Sequence, residues 1–182
     1  GSVTLSSGTT AAESSGNILI GSGVATGGTG GDVLITVGDG DSGVGGRVLV
    51  QAGYSRASSG KDGGDLELYA GRGNGGGGDV SITAGLADTE TGGEVMITSG
   101  KSTAGSSGEL YVQTAAATKG VTGSLIFSSG VASSGSSGLV TIGSGAATSG
   151  AAGAVSILVG TASGAGSRLQ LSAGDGTSGN GG

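Results

Sequence analysis

The sequence predicts an all-β fold, a single parallel β-solenoid (β-helix) of about twelve 15-residue coils with a thin cross-section, one repeat domain over residues 1–182. Three observations predict it. First, an apolar residue opens a short phrase at Val3, Ile18, Val33, Val48, Leu66, Val80, Val95, Leu110, Leu125, Val140, Val155 and Leu169, spaced by 15 except for 18 after Val48 and 14 after Leu66 and Val155. A unit this small buries nothing by itself, so a fixed period of this size is the mark of coils that stack on their neighbours. Second, the residue two places further on is apolar in every unit, from Leu5 and Ile20 through Phe127 to Leu171, which is the period of a strand with one face turned inward. Third, glycine recurs at two places per unit, five residues after the opening residue except at Ala115 and two before it except at Ser167. Two corners per coil that need positive φ or no Cβ explain that pairing.

With the opening residue as position zero, positions zero and two are the expected inward pair. Position four is small or β-branched, as in Ser22, Val37, Ala84 and Thr114, so the interior narrows there. The remainder of each unit, such as Val131 to Ser137, has no large inward residue, and it should lie close against the first strand. Stacked at about 4.8 Å per coil, the units would make a rod about 55–60 Å long with parallel ladders along it. The fourth unit has extra residues between Tyr54 and Asp62, read as a corner bulge. Arg47, Arg56, Lys61 and Arg72 gather around that bulge beside Asp62, Asp65 and Glu67, either as a functional patch or as a neutralised, tolerated insertion.

Composition narrows the function classes. The chain of 182 residues contains 47 glycines, one Phe, three Tyr and no Trp or Pro, too few bulky side chains for an ordinary core. Such composition otherwise reads as a flexible linker, and strict alternation at a fixed period is what sets this chain apart from one. A net charge of −6 with seven scattered basic residues provides no stripe for phosphate, so nucleic acid is not an expected partner. No apolar run approaches the length of a membrane span, and no membrane insertion is expected. Both ends fall inside the repeat, which reads as a processed piece or an excerpt of a longer array.

Chemistry is sparsely represented. Cysteine and histidine are absent, which removes disulfides, thiolate and imidazole chemistry and the usual zinc ligands, and with only Lys61, Lys101 and Lys119 as conceivable bases no nucleophile triad can be composed. Gly71 to Gly76 matches GxGxxG, as do two other stretches, but no helical pattern follows any of them to receive a pyrophosphate. No catalytic residue and no cofactor are expected. Asp65, Asp79, Glu94 and Glu109 all precede position zero and would form a ladder of like charges. They either turn back to accept N–H groups at the glycine corners or give a weak Ca²⁺ site.

Another column stands eight residues after the opening residue: Thr103, Thr118, Ser133, Thr148, Ser163 and Thr177. Ranks of hydroxyls on a flat coil face resemble those of solenoidal ice-binding proteins, and the resemblance implies an ice or partner face. Asp41 and Asp88 interrupt the column, and a solvated Ser/Thr face is the alternative. Gly27 to Asp32 resembles a single calcium-binding turn of the nine-residue RTX repeat, in a chain whose period is 15. From Gly120 to Ser167 there is no charged residue, and outward Ile126 and Leu158 in that span are candidates for self-association. Three role classes follow: a structural, non-catalytic extracellular or cell-surface rod that associates end to end or laterally with itself, an ice-binding module on the Ser/Thr column, and an enzyme. The many exposed hydroxyls also suit O-linked glycans.

Overall fold

The computed structural model describes residues 1–57 and 60–175, and among these there is neither a β-strand nor an α-helix. This corrects the expected all-β fold: no parallel β-solenoid of twelve coils, thin or otherwise, is formed, and no ladder runs along the units. Backbone pairing is correspondingly scarce. Among the described residues only four backbone hydrogen bonds form, where a compact chain has about one per residue. Accessible surface reports the same state, 17968 Å² against about 7,500 Å² for a compact protein of this mass. None of the described residues is buried.

The physical reason lies in the residue supply. Glycine at 47 of 182 positions loses more conformational freedom on ordering than any other residue and gives a strand no side chain to pair across. Two aliphatic side chains per unit do not offset that loss, and without ladders no neighbouring unit comes close enough to cover them. Sidedness nevertheless persists. Val33 is 52% exposed while its neighbour Leu34 is 84%, and Val159 is 42% exposed beside Leu158 at 86%. Period-two alternation is thus a property of the local backbone here, present without the sheet it ordinarily signals.

What the chain does build is a repeated loop. Two compact units divide it, Gly1–Val95 and Met96–Gly182, and among the described residues the loop closes three times in the first and once in the second. In the first, the N–H of Gly64 donates to the carbonyl of Gly53, Gly78 to Gly71 and Gly93 to Gly85, each at 2.9 Å. In the second, Gly108 donates to Gly100 at 2.9 Å. Every donor is the glycine two places before position zero, and every acceptor is the glycine at position five of the preceding unit. The closures bring that donor glycine over the small residue at position four. A Cβ on Gly93 would lie 3.3 Å from the Cβ of Ala84 and one on Gly108 3.7 Å from that of Ser99; at Gly46, which makes no such hydrogen bond, one would lie 2.6 Å from Cγ1 of Val37. Ala52, Ala84 and Ser99, all at position four beside a closed loop, are among the few residues that reach intermediate exposure.

The glycine corners therefore divide their work differently from the expectation. Close approach requires the glycine two places before the opening residue at Gly46, Gly64, Gly78 and Gly93, where a Cβ would meet a neighbour at 2.6, 3.3, 3.3 and 3.0 Å, whereas at Gly123, Gly138 and Gly153 it would make ordinary contact. Position-five glycines such as Gly85, Gly100 and Gly130 have open space where a Cβ would sit, and among them only Gly8, at φ +77°, has positive φ. Positive φ falls mainly at position ten, in the bend at the far end of the loop: Gly43 at +104°, Gly120 at +91°, Gly135 at +100° and Gly150 at +112°. Those are the positions where a side chain would strain the backbone.

Candidate functional site

The hydroxyl column read as a possible ice or partner face occupies the start of these bends. Thr103, Thr118, Ser133, Thr148 and Ser163 each open a three-residue bend, and so do Thr26, Asp41 and Asp88 in other units. Thr177 lies outside the described residues. Ser, Thr, Asp and Asn are the residues that turn chemistry selects at a bend, because a short polar side chain substitutes for a backbone partner. Asp41 and Asp88, which interrupt a hydroxyl face, fit a bend column, in which Ala11 is the apolar exception.

In three units a hydroxyl residue that the sequence reading passed over, one place before the bend column, braces the backbone that follows it directly. Ser102, at position seven, accepts the N–H groups of Gly105 at 2.8 Å and Ala104 at 3.3 Å. In the bulged unit Ser55 at the same position accepts the N–H of Ala57 at 3.5 Å, and in the first unit the hydroxyl of Thr10 donates to the carbonyl of Glu13. The signal was available as a hydroxyl at that position in these three units; the other units have Ala or Gly there. Ser22 makes a related cross-loop contact, donating to the carbonyl of Gly31 at 2.5 Å. The bulge between Tyr54 and Asp62 includes two residues outside the described set, Ser58 and Ser59.

The four carboxylates of the acidic column do not act on the glycine corners. Among the described residues none of Asp65, Asp79, Glu94 and Glu109 accepts a turn N–H. Glu109 instead accepts the hydroxyl of Tyr111, two residues on and on the same side of the extended backbone. Glu67 and Tyr69 repeat that arrangement at 3.2 Å. The hydrogen bond to Glu109 stabilises the neutral phenol of Tyr111 and raises its pKa above 10.0, with desolvation adding in the same direction. No group of three or more carboxylates gathers among the described residues, so the acidic column presents no cluster for Ca²⁺.

The described residues enclose no pocket. Their most prominent surface is apolar and repeated. Most units leave the opening residue about half exposed and the position-two residue more so, as in Val95 at 51% and Ile97 at 66%; the first unit, with Val3 at 101% and Leu5 at 69%, and the Leu110 unit depart from this. The self-association candidates Ile126 and Leu158 stand out further, at 78% and 86%. No helix among the described residues is long and apolar enough to cross a membrane. Comparison with protein-family models, with curated proteins and with solved structures finds no match for the chain.

Proposed function

We propose that this chain is a structural, non-catalytic repeat protein of the extracellular space or cell surface, which acts by associating with copies of itself into a filament-like or coat-like array. The observation that supports this reading is the apolar pair at positions zero and two, which lies on one side of the backbone in unit after unit and remains open to water within a single chain. Exposed apolar surface that recurs in this way marks an interaction surface. A partner without the 15-residue period would meet one or two pairs, whereas a second copy presents the same pairs at the same spacing and meets many at once. Weak contacts linked in series then act at high effective concentration.

The remaining composition is consistent with that role. A chain without His or Cys has few means of nucleophilic or general-base catalysis. Glycine-rich loops and bends supply many small, uncharged surfaces across which copies can approach. Light scattering and negative-stain electron microscopy of the full chain over a wide concentration series test the proposal. Growth of extended or sheet-like particles with concentration is expected, and a chain that stays monomeric throughout would overturn it. Antibody labelling of intact, non-permeabilised source cells tests the location in the same way.

A further inference from the structure

We infer that self-association is seated in residues 120–167, where one copy docks against the same segment of a second copy. This inference rests on the self-associating reading above and adds where the contact is made. Charge distribution singles out the segment. Of the 7 basic and 13 acidic residues, only Arg168 and Asp175 lie beyond Lys119, so the span from Gly120 to Ser167 has none. The residue just before the opening position shows the consequence. In successive earlier units it is Asp65, Asp79, Glu94 and Glu109, and in the three units of the span it is Ser124, Leu139 and Ala154. When two identical chains meet in register, each column faces its own copy. Across the earlier units that brings carboxylate to carboxylate, which disfavours the pairing. Across the span it brings neutral and apolar side chains together.

The segment also has enough apolar surface. Its twelve large apolar residues range from 42% exposed at Val159 to 100% at Val131, with Leu139 at 90%. Complete burial of one such side chain removes about 60–120 Å², so the twelve, which point to both sides of the backbone, offer about 500–1,000 Å² when a second copy covers both sides. A standard interface takes about 800 Å² from each partner. Nothing in the span protects it from this contact: it has no Pro and no charged residue, the two devices that ordinarily keep exposed apolar segments apart. Small residues at Ala146, Ala147 and Ala151 let a second backbone come close.

Sedimentation velocity on the full chain distinguishes this inference from the reading beneath it. Three proteins are compared: the parent, Ile126→Lys with Leu158→Lys, and a matched control, Leu34→Lys with Leu49→Lys. The control adds the same charge at outward positions of similar exposure, 84% and 66%, in the charged part of the chain. All four side chains are highly exposed, so neither variant removes a folded core. The segment variant is expected to raise the concentration at which the parent associates about tenfold or more, because like charges then face each other across the contact, while the control stays close to the parent. Equal shifts in both variants, with the parent still associating, would overturn the assignment to 120–167 and leave self-association standing. A parent that never associates would overturn both.

Discussion

Replacing Gly93 with Ala should open the loop that Gly93 closes on Gly85, and replacing Gly85 with Ala should not. Both positions are glycine in almost every unit, and by sequence they are equivalent corners. Structurally they differ. A Cβ on Gly93 would stand 3.0 Å from the Gly85 nitrogen, 3.3 Å from the Ala84 Cβ and 3.5 Å from the Gly85 oxygen, whereas a Cβ on Gly85 meets nothing within 4 Å. Relieving the first contact requires the two backbones to separate by a few tenths of an ångström, which acts directly on the 2.9 Å hydrogen bond. A hydrogen bond of this kind contributes a net 0.5–1.5 kcal/mol or so, so its loss should lower the closed population about 2- to 12-fold. Amide hydrogen exchange of residue 93, followed by NMR and corrected for the intrinsic rate of Ala against Gly, measures that population. Loss of protection in Gly93→Ala together with retention in Gly85→Ala is the expected pair of results. Equal protection in both variants, or equal loss, would refute the assignment of close approach to one corner only.

Other outcomes follow from the same geometry. Gly135→Ala and Gly150→Ala should distort their bends by placing a Cβ at φ of +100° and +112°, at a cost of about 1–2 kcal/mol each, while Gly130→Ala should leave backbone chemical shifts of the neighbouring bend in place. In a Tyr54→Phe, Tyr69→Phe background the phenol of Tyr111 should titrate above 10.0, and Glu109→Gln should lower its midpoint. A raised phenol pKa means that the contact is complete below the ordinary value and disappears as pH rises through the higher one, so the difference between parent and variant should be confined to alkaline pH. Millimolar Ca²⁺ at fixed ionic strength should leave the amide shifts around Asp65, Asp79, Glu94 and Glu109 unchanged, since no three carboxylates converge; a saturable, common shift at all four would contradict that. Far-UV circular dichroism of the dilute chain should show neither helix nor strand.

Much of the repeat was legible, and the limit fell at a definite physical step. Period, sidedness and the narrow place at position four follow from local preferences, and all three are visible in the structure: Val33 is shielded relative to Leu34, and Ala84 lies beneath Gly93. The step from alternating residues to stacked strands is different in kind, because it depends on neighbouring units supplying ladders and cover. Val95 and Ile97 have the right pattern for a strand, and in the single chain they have no partner to make it one. Glycine misled for a related reason. One residue type answers to close approach at Gly93 and to positive φ at Gly135, and spacing alone does not separate the two. The hydroxyl column was visible but was assigned to a face, whereas Thr103 and Ser133 open bends, the first of them braced by Ser102.

Whether the apolar pairs are open in one chain and covered in the assembly can be measured directly with a soluble paramagnetic probe acting on Val, Leu and Ile methyl groups. At high dilution the methyls of positions zero and two, Val95 and Ile97 as much as Val140 and Ile142, should all be strongly relaxed. On raising the concentration, protection should appear first between residues 120 and 167 and then spread. Methyls at positions zero and two that are already shielded at high dilution would show a core within the single chain and contradict the open repeat described above; methyls that stay accessible at every concentration would contradict its assembly.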